Sequence, residues 1–129
     1  MAPPFIAYFG ALQNDSGGLA ILQIAYEQIL LYRQALFDQD VSLWRHIAYG
    51  STEDIGHWAT GALVSVCPRK AGVMLSFLDV GNAWAAAGMM RVWAIINRSS
   101  FSSQMQAQKD NLTQWVDEIL TGVWSYQVR

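Results

Sequence analysis

A long segment from Asn82 to Ile96 restricts the fold more than any other feature, because Arg91 is its one charged residue. Three consecutive alanines and Gly88 within it would let a neighbouring helix approach closely. A helix that is apolar on all sides is buried in the core of a larger protein. The segment therefore predicts an inner helix that begins near Asn82.

The rest of the chain predicts three more helices and one short extended element. Pro3 and Pro4 suit a first helical turn, where a missing N–H costs nothing, and NDSGG should end that helix. A second helix follows, with apolar residues at helical spacing over residues 19–37. The alternating pattern of SLWRHIAYG, residues 42–50, predicts a short strand or hairpin arm. A last, outer helix is expected over residues 103–120. Its predicted buried stripe consists of Met105, Leu112, Trp115, Val116, Ile119 and Leu120.

The composition is rich in apolar residues and poor in charge. Hydrophobic residues make up 53% of the chain and charged residues 14%, whereas a typical soluble domain carries about 25% charged residues. No run of about 18 uncharged apolar residues is present, so no membrane-spanning helix is predicted. At 129 residues the chain has the length of one domain. We therefore expect helices that belong inside something larger, with self-association through their exposed apolar faces.

The charge and cysteine content exclude several classes of function. With a net charge of -2 and eight scattered Lys and Arg residues, the chain has no basic patch for nucleic acid or for a membrane surface. Cys67 is the single cysteine, so it forms no internal disulfide and has no second cysteine for a metal site. We expect no nucleic-acid partner, no membrane partner, no metal and no cofactor.

Five motifs follow one another along the chain: MAPPFIAYFGAL, LYRQALFDQD, LWRHI, GHWATG and GNAWAAAGMMRV. In this order they resemble motifs of fungal six-hairpin glycosidases, similar to the unsaturated rhamnogalacturonyl and glucuronyl hydrolases. The resemblance implies an all-α fold in which about four helices and one short strand or hairpin form the C-terminal part of an (α/α)6 barrel. It also implies a carbohydrate substrate, an unsaturated uronyl oligosaccharide of the pectin or rhamnogalacturonan type, which is cleaved after hydration of its double bond.

Residues 62–80 interrupt a motif that is unbroken in the family, where it has the form HWATGNAWAAAGM. Gly61 and Gly81 would then stand for one glycine, and the residues between them would be an insertion. We interpret the insertion as a retained intron, because the codons at its two ends can supply splice signals and its length is a multiple of three bases. The alternative is a natural loop with a role of its own. We expect residues 62–80 to form no packed element.

The resemblance implies the substrate-binding half of a site. His46 matches a substrate-lining histidine, and Trp58 and Trp84 would stack on a sugar ring. Thr60 stands where some relatives carry an arginine that can clamp a carboxylate, which puts the identity of the sugar in doubt. The catalytic Asp of the family lies just before the segment matched by Met1–Phe5, so no catalytic residue is expected in this chain.

The residues themselves leave three functions open. The first is a fragment of a secreted glycoside hydrolase that is inactive alone. The second is a small helical binding or assembly module without catalysis. The third is an enzyme with new chemistry at Glu53, Asp54 and His57, although adjacent carboxylates point in different directions and are better interpreted as a solvated turn. Trp93 and Trp115 are interpreted as core aromatics, since both lie at helical spacing.

Three of the four asparagines lie in Asn-x-Ser/Thr sequons, at Asn14, Asn97 and Asn111. This pattern is typical of a secreted protein, although Asn111 falls within a predicted helix and should be a poor acceptor. The family is extracellular, whereas the N-terminus lacks the basic, apolar and small-residue order of a signal peptide. The sequence therefore predicts no compartment.

Overall fold

The computed structural model describes residues 2–40, 42–44 and 71–127, with the backbone alone for residues 71–80 and 126–127. Within these ranges the chain forms four helices and a two-stranded antiparallel hairpin. The elements are α1 (Pro3–Leu12), α2 (Ser16–Leu36), β1 (Phe37–Asp38), β2 (Leu43–Trp44), α3 (Ala71–Arg98) and α4 (Gln106–Gln127). The chain is mostly helical, as the all-α prediction requires.

None of the helices in these ranges combines the length and the hydropathy that crossing a membrane requires.

The chain divides into two compact units. Unit 1 comprises Met1–Tyr32 and Ala86–Val116, and unit 2 comprises Arg33–Ala85 and Asp117–Arg129. Helix α1 lies entirely in unit 1, whereas α2, α3 and α4 each contribute one part to each unit.

The junction of α1 and α2 follows from its residues. Pro3 starts α1, and the Asp15 side chain caps α2 by accepting a hydrogen bond from the Gly18 N–H at 3.0 Å. A Cβ at Gly18 would lie 2.1 Å from the Gln13 carbonyl oxygen and 2.6 Å from that of Gly10. The two helices therefore approach backbone to backbone, at a distance that glycine permits. Both predicted helix boundaries at NDSGG are confirmed.

The core of unit 1 is built from all four helices and the connection between α3 and α4. Tyr26 stacks on Trp115, with ring centroids 5.6 Å apart and planes 17° from parallel. This confirms the interpretation of Trp115 as a core aromatic. The stripe predicted on the last helix includes Met105, which lies in the turn before α4. All of its residues are buried except Leu120, which is 57% exposed. The main buried apolar residues of unit 1 are Ala7, Leu22, Ala25, Ile29, Ala86, Met89, Val92, Ile96, Phe101, Met105, Leu112, Trp115 and Val116.

Helix α1 presents its small residues inwards and its large residues outwards. Pro3, Ala7 and Gly10 are its buried positions. Its exposed stripe, which we call the α1 stripe, consists of Phe5, Tyr8, Phe9 and Leu12. The other helices also expose large apolar side chains, namely Ile24, Leu31, Tyr32, Trp84, Met90, Leu120 and Trp124.

Helix α3 corrects two expectations. It begins at Ala71, so Asn82 lies inside the helix and not near its start. Residues 71–80 are therefore helical, whereas residues 62–70 lie outside the described ranges, and the expectation that residues 62–80 form no packed element stays a prediction. The inner-helix prediction is correct for one side only, because Met89 is buried while Met90 and Arg91 are exposed. Among the described residues, α3 is therefore buried on one side and exposed on the other.

Candidate functional site

The candidate site lies in unit 2, at the hairpin that follows α2. Strands β1 and β2 are antiparallel, with Phe37 paired to Trp44. The Asp38 side chain accepts a hydrogen bond from the Asp40 N–H at 3.1 Å, which closes the turn locally. Ser42 has a φ of 56°, a left-handed conformation that a short turn can require of a small polar residue. The hairpin fixes the start of the LWRHI motif, and the prediction of an extended element is confirmed there.

Asn82 holds this hairpin to α3. It is 1% exposed, its Oδ1 accepts a hydrogen bond from the Trp44 N–H at 2.8 Å, and its Nδ2 donates to the Trp44 carbonyl at 3.4 Å. The amide thus binds the backbone of β2 in the way a third strand would. Through this contact the LWRHI motif meets the GNAWAAAGMMRV motif.

A partly buried ion pair lies beside the same hairpin. Arg33 of α2 and Glu118 of α4 approach to 2.5 Å, with their side chains 22% and 24% exposed. The Arg33 guanidinium also lies 4.2 Å from the centroid of the Phe37 ring, a cation–π distance. Because the guanidinium of Arg33 binds the Glu118 carboxylate and packs on the Phe37 ring of β1, it stabilises the hairpin.

Sequence reasoning missed Asn82, Arg33 and Glu118. A usable signal existed for Asn82, since it is the one uncharged polar side chain in the segment 82–96 and a buried polar group requires partners. Arg33 and Glu118 lie far apart in the chain, and nothing in their local pattern indicates that they meet.

The structure describes one of the four predicted substrate-binding residues. Trp84 lies on α3, close to Asn82 in the chain, and its ring is 57% exposed. His46, Trp58 and Thr60 lie outside the described ranges, as do the three residues considered for new chemistry, so these assignments stay predictions.

Asn82 and Trp84 are two residues apart in α3, so their side chains lie about 200° apart around the helix axis, one buried against the hairpin and one exposed. Trp84 offers an aromatic surface, and Asn82 fixes the hairpin whose continuation carries His46. Within the described ranges, no group of three or more His, Cys, Asp or Glu side chains could hold a metal ion.

No known family model, no curated protein and no solved structure matches the chain. The likeness to six-hairpin glycosidases therefore rests on the five motifs and stays a prediction.

Proposed function

We propose that the chain forms part of the (α/α)6 barrel of a glycoside hydrolase that acts on unsaturated uronyl oligosaccharides. The contact between Trp44 and Asn82 carries this proposal. Two of the five motifs meet at that contact, and each contains a residue expected to bind the sugar, His46 in one and Trp84 in the other. The contact places the backbones of the two motifs side by side, as a shared binding site would require.

The exposure of Trp84 supports a role in sugar binding. A large aromatic side chain left 57% exposed on a helix gains little from burial. Such a ring is free to stack on the apolar C–H face of a sugar, as aromatic side chains do in binding sites. Asn82 would act as a positioning residue, because it sets where the hairpin lies against α3.

The apolar surface of the other helices supports the barrel. Each of the four described helices exposes at least two large apolar side chains, or a whole stripe in the case of α1. Contiguous exposed apolar surface marks an interaction site or a surface that is covered in the complete structure. In a ring of helical hairpins, neighbouring hairpins would cover these faces.

The α1 stripe also favours a second candidate function, a helical assembly module without catalysis. Such a module would use Phe5, Tyr8, Phe9 and Leu12 to bind another helix. An assembly module would not bind sugar. The two functions therefore differ in whether Trp84 stacks on a sugar ring.

Residues 1–129 alone are expected to show no hydrolase activity. Hydration of the unsaturated uronyl group requires a carboxyl group placed to donate a proton, and such a group typically contributes 10²- to 10⁴-fold to the rate. The resemblance assigns that role to no residue of this chain. Bleaching of the ultraviolet absorbance of the conjugated double bond by the chain alone would contradict this part of the proposal.

Calorimetric binding of a Δ4,5-unsaturated uronyl disaccharide tests the sugar site directly. Trp84→Ala should weaken binding about fivefold or more, since a stacked ring contributes on the order of 1 kcal/mol beyond its buried area. Trp124→Ala is the matched control, because Trp124 is 68% exposed in the same unit but lies outside the five motifs. An equal loss in the two variants, or no binding by the unsubstituted chain, would reject the sugar site and favour the assembly module.

A further inference from the structure

The three sequons lie in unit 1, in three different environments. Asn14 lies in the connection between α1 and α2 and is exposed, and Asn97 lies in the last turn of α3 and is also exposed. Asn111 lies within α4 and is half-buried. An N-linked glycan is joined to the Nδ2 atom of asparagine, so the hydrogen bonds of each amide indicate which sequon can carry one.

Lys109 fixes the orientation of the Asn97 amide. The Lys109 side chain is buried, 6% exposed, and its Nζ donates to Asn97 Oδ1 at 3.2 Å and to Ser102 Oγ at 2.8 Å. An ammonium group has three donors and no acceptor, so Asn97 must present its oxygen to it. The Nδ2 atom therefore points away from Lys109. A glycan on Nδ2 leaves the carbonyl oxygen in place, and with it the hydrogen bond from Lys109.

Asn14 is arranged in the same way. Its Oδ1 accepts a hydrogen bond from Ser100 Oγ at 3.3 Å, and its side chain is exposed. Because Ser100 closely follows Asn97 in the chain, the two sequons lie at the same end of unit 1. In both residues the amide oxygen is the atom that accepts the hydrogen bond.

At Asn111 the amide nitrogen, and not the oxygen, makes the hydrogen bond. Its Nδ2 donates to Tyr26 Oη at 2.7 Å, and the Tyr26 ring stacks on the buried Trp115. The sequon hydroxyls do not distinguish Asn97 from Asn111, because Ser99 Oγ donates to the Ile96 carbonyl at 2.8 Å and Thr113 Oγ1 to the Lys109 carbonyl at 3.0 Å. Because Asn111 is half-buried and its Nδ2 is in contact with Tyr26 of α2, a glycan on this nitrogen would crowd the packing of α4 against α2.

We propose that Asn14 and Asn97 are N-glycosylation sites of this protein and that Asn111 is not. In the reaction, the Nδ2 nitrogen forms a bond to the anomeric carbon of an oligosaccharide carried on a lipid pyrophosphate. The bond from that carbon to the pyrophosphate oxygen breaks, the lipid pyrophosphate leaves, and Nδ2 loses one proton. The glycosylated end of unit 1 then faces solvent, so no neighbouring hairpin or subunit covers it. The proposal is independent of the glycosidase function.

The test is a map of glycan positions on the full chain, expressed behind a cleavable secretory leader in a eukaryotic host. Enzymatic release of N-glycans in ¹⁸O-labelled water converts each occupied asparagine to a labelled aspartate, which mass spectrometry locates. Label is expected at Asn14 and Asn97 and absent at Asn111 in the folded, secreted protein. Label at Asn111, or its absence from either of the other two sites, would overturn the proposal.

Sequon variants give an independent count of the glycans. Ser99→Ala, which keeps Asn97 and its contact with Lys109, should remove one glycan in gel electrophoresis, as Asn97→Gln should. Thr113→Ala is the matched control, because it destroys the third sequon without replacing Asn111, and it should leave the number of glycans unchanged. A loss of one glycan in Thr113→Ala would count against the proposal, as would no loss in Ser99→Ala.

Discussion

Replacing Asn82 with alanine tests whether this side chain holds the hairpin to α3. In the structure the Asn82 amide is buried and bonds to both backbone groups of Trp44, at 2.8 Å and 3.4 Å. The shorter bond has good geometry, whereas the longer one lies beyond the usual range for N–H···O and contributes little. Of these two bonds, the one that matters more is therefore the bond in which Asn82 Oδ1 accepts from the Trp44 N–H.

The size of the effect follows from two opposing contributions. Leaving a partly buried N–H without its acceptor costs about 1–3 kcal/mol. Alanine has a higher helix propensity than asparagine, which offsets up to about 0.7 kcal/mol of this in α3. We expect Asn82→Ala to lower the free energy of unfolding by about 0.3–3 kcal/mol. The change should be concentrated at the hairpin.

Amide hydrogen exchange measured by NMR resolves this local effect. The Trp44 N–H should exchange roughly 5- to 150-fold faster in Asn82→Ala, which corresponds to the loss of one hydrogen bond of about 1–3 kcal/mol. Asn14→Ala is the control, since Asn14 is exposed in a loop and its replacement should change stability by less than about 0.5 kcal/mol. Unchanged exchange at Trp44 in Asn82→Ala would refute the role given to Asn82, as would an equal effect of Asn14→Ala.

Two further predictions concern the helices. Gly18→Ala should lower the free energy of unfolding by about 1–3 kcal/mol or more, because the new Cβ would overlap backbone oxygens, 2.1 Å from the nearest. At Gly81 no atom lies within 4 Å of an added Cβ, so Gly81→Ala should instead raise the free energy of unfolding by about 0.5–1 kcal/mol. Equal urea midpoints for the two variants would contradict the close approach of the backbones at Gly18. Phe5→Gln combined with Phe9→Gln should reduce self-association in sedimentation, since both rings lie on the exposed α1 stripe; a monodisperse, monomeric unsubstituted chain would contradict this expectation.

The sequence predicted the elements whose ends carry local signals. Two prolines mark the start of α1, and the NDSGG segment ends it and caps α2. These signals act over a few residues, so a pattern can capture them without knowledge of the tertiary structure. The stripe on α4 was predicted for the same reason, because helical spacing alone brings its residues to one face.

The predictions failed where tertiary contacts determine the boundary, the burial or the partner of a residue. The start of α3 was placed near Asn82 because the apolar segment begins there, although no proline interrupts the chain between Ala71 and Asn82 and the helix includes both residues. Leu120 has the spacing of a buried residue and yet is exposed, because burial also requires a neighbour to cover it. The partner of Asn82 is 38 residues away in the chain, a separation that no local pattern encodes.

Helix α1 buries its small residues and exposes its large ones, and this distribution affects the order in which parts of the protein unfold. Because α1 attaches to its own chain through proline, alanine and glycine, it removes little apolar area from water on that side. Regions with few buried apolar contacts open locally at a lower free energy than the rest of a fold. We therefore expect α1 to open before the core of unit 1, and any surface that covers the α1 stripe to slow that opening. Resistance of α1 to a protease would then report whether the stripe is occupied.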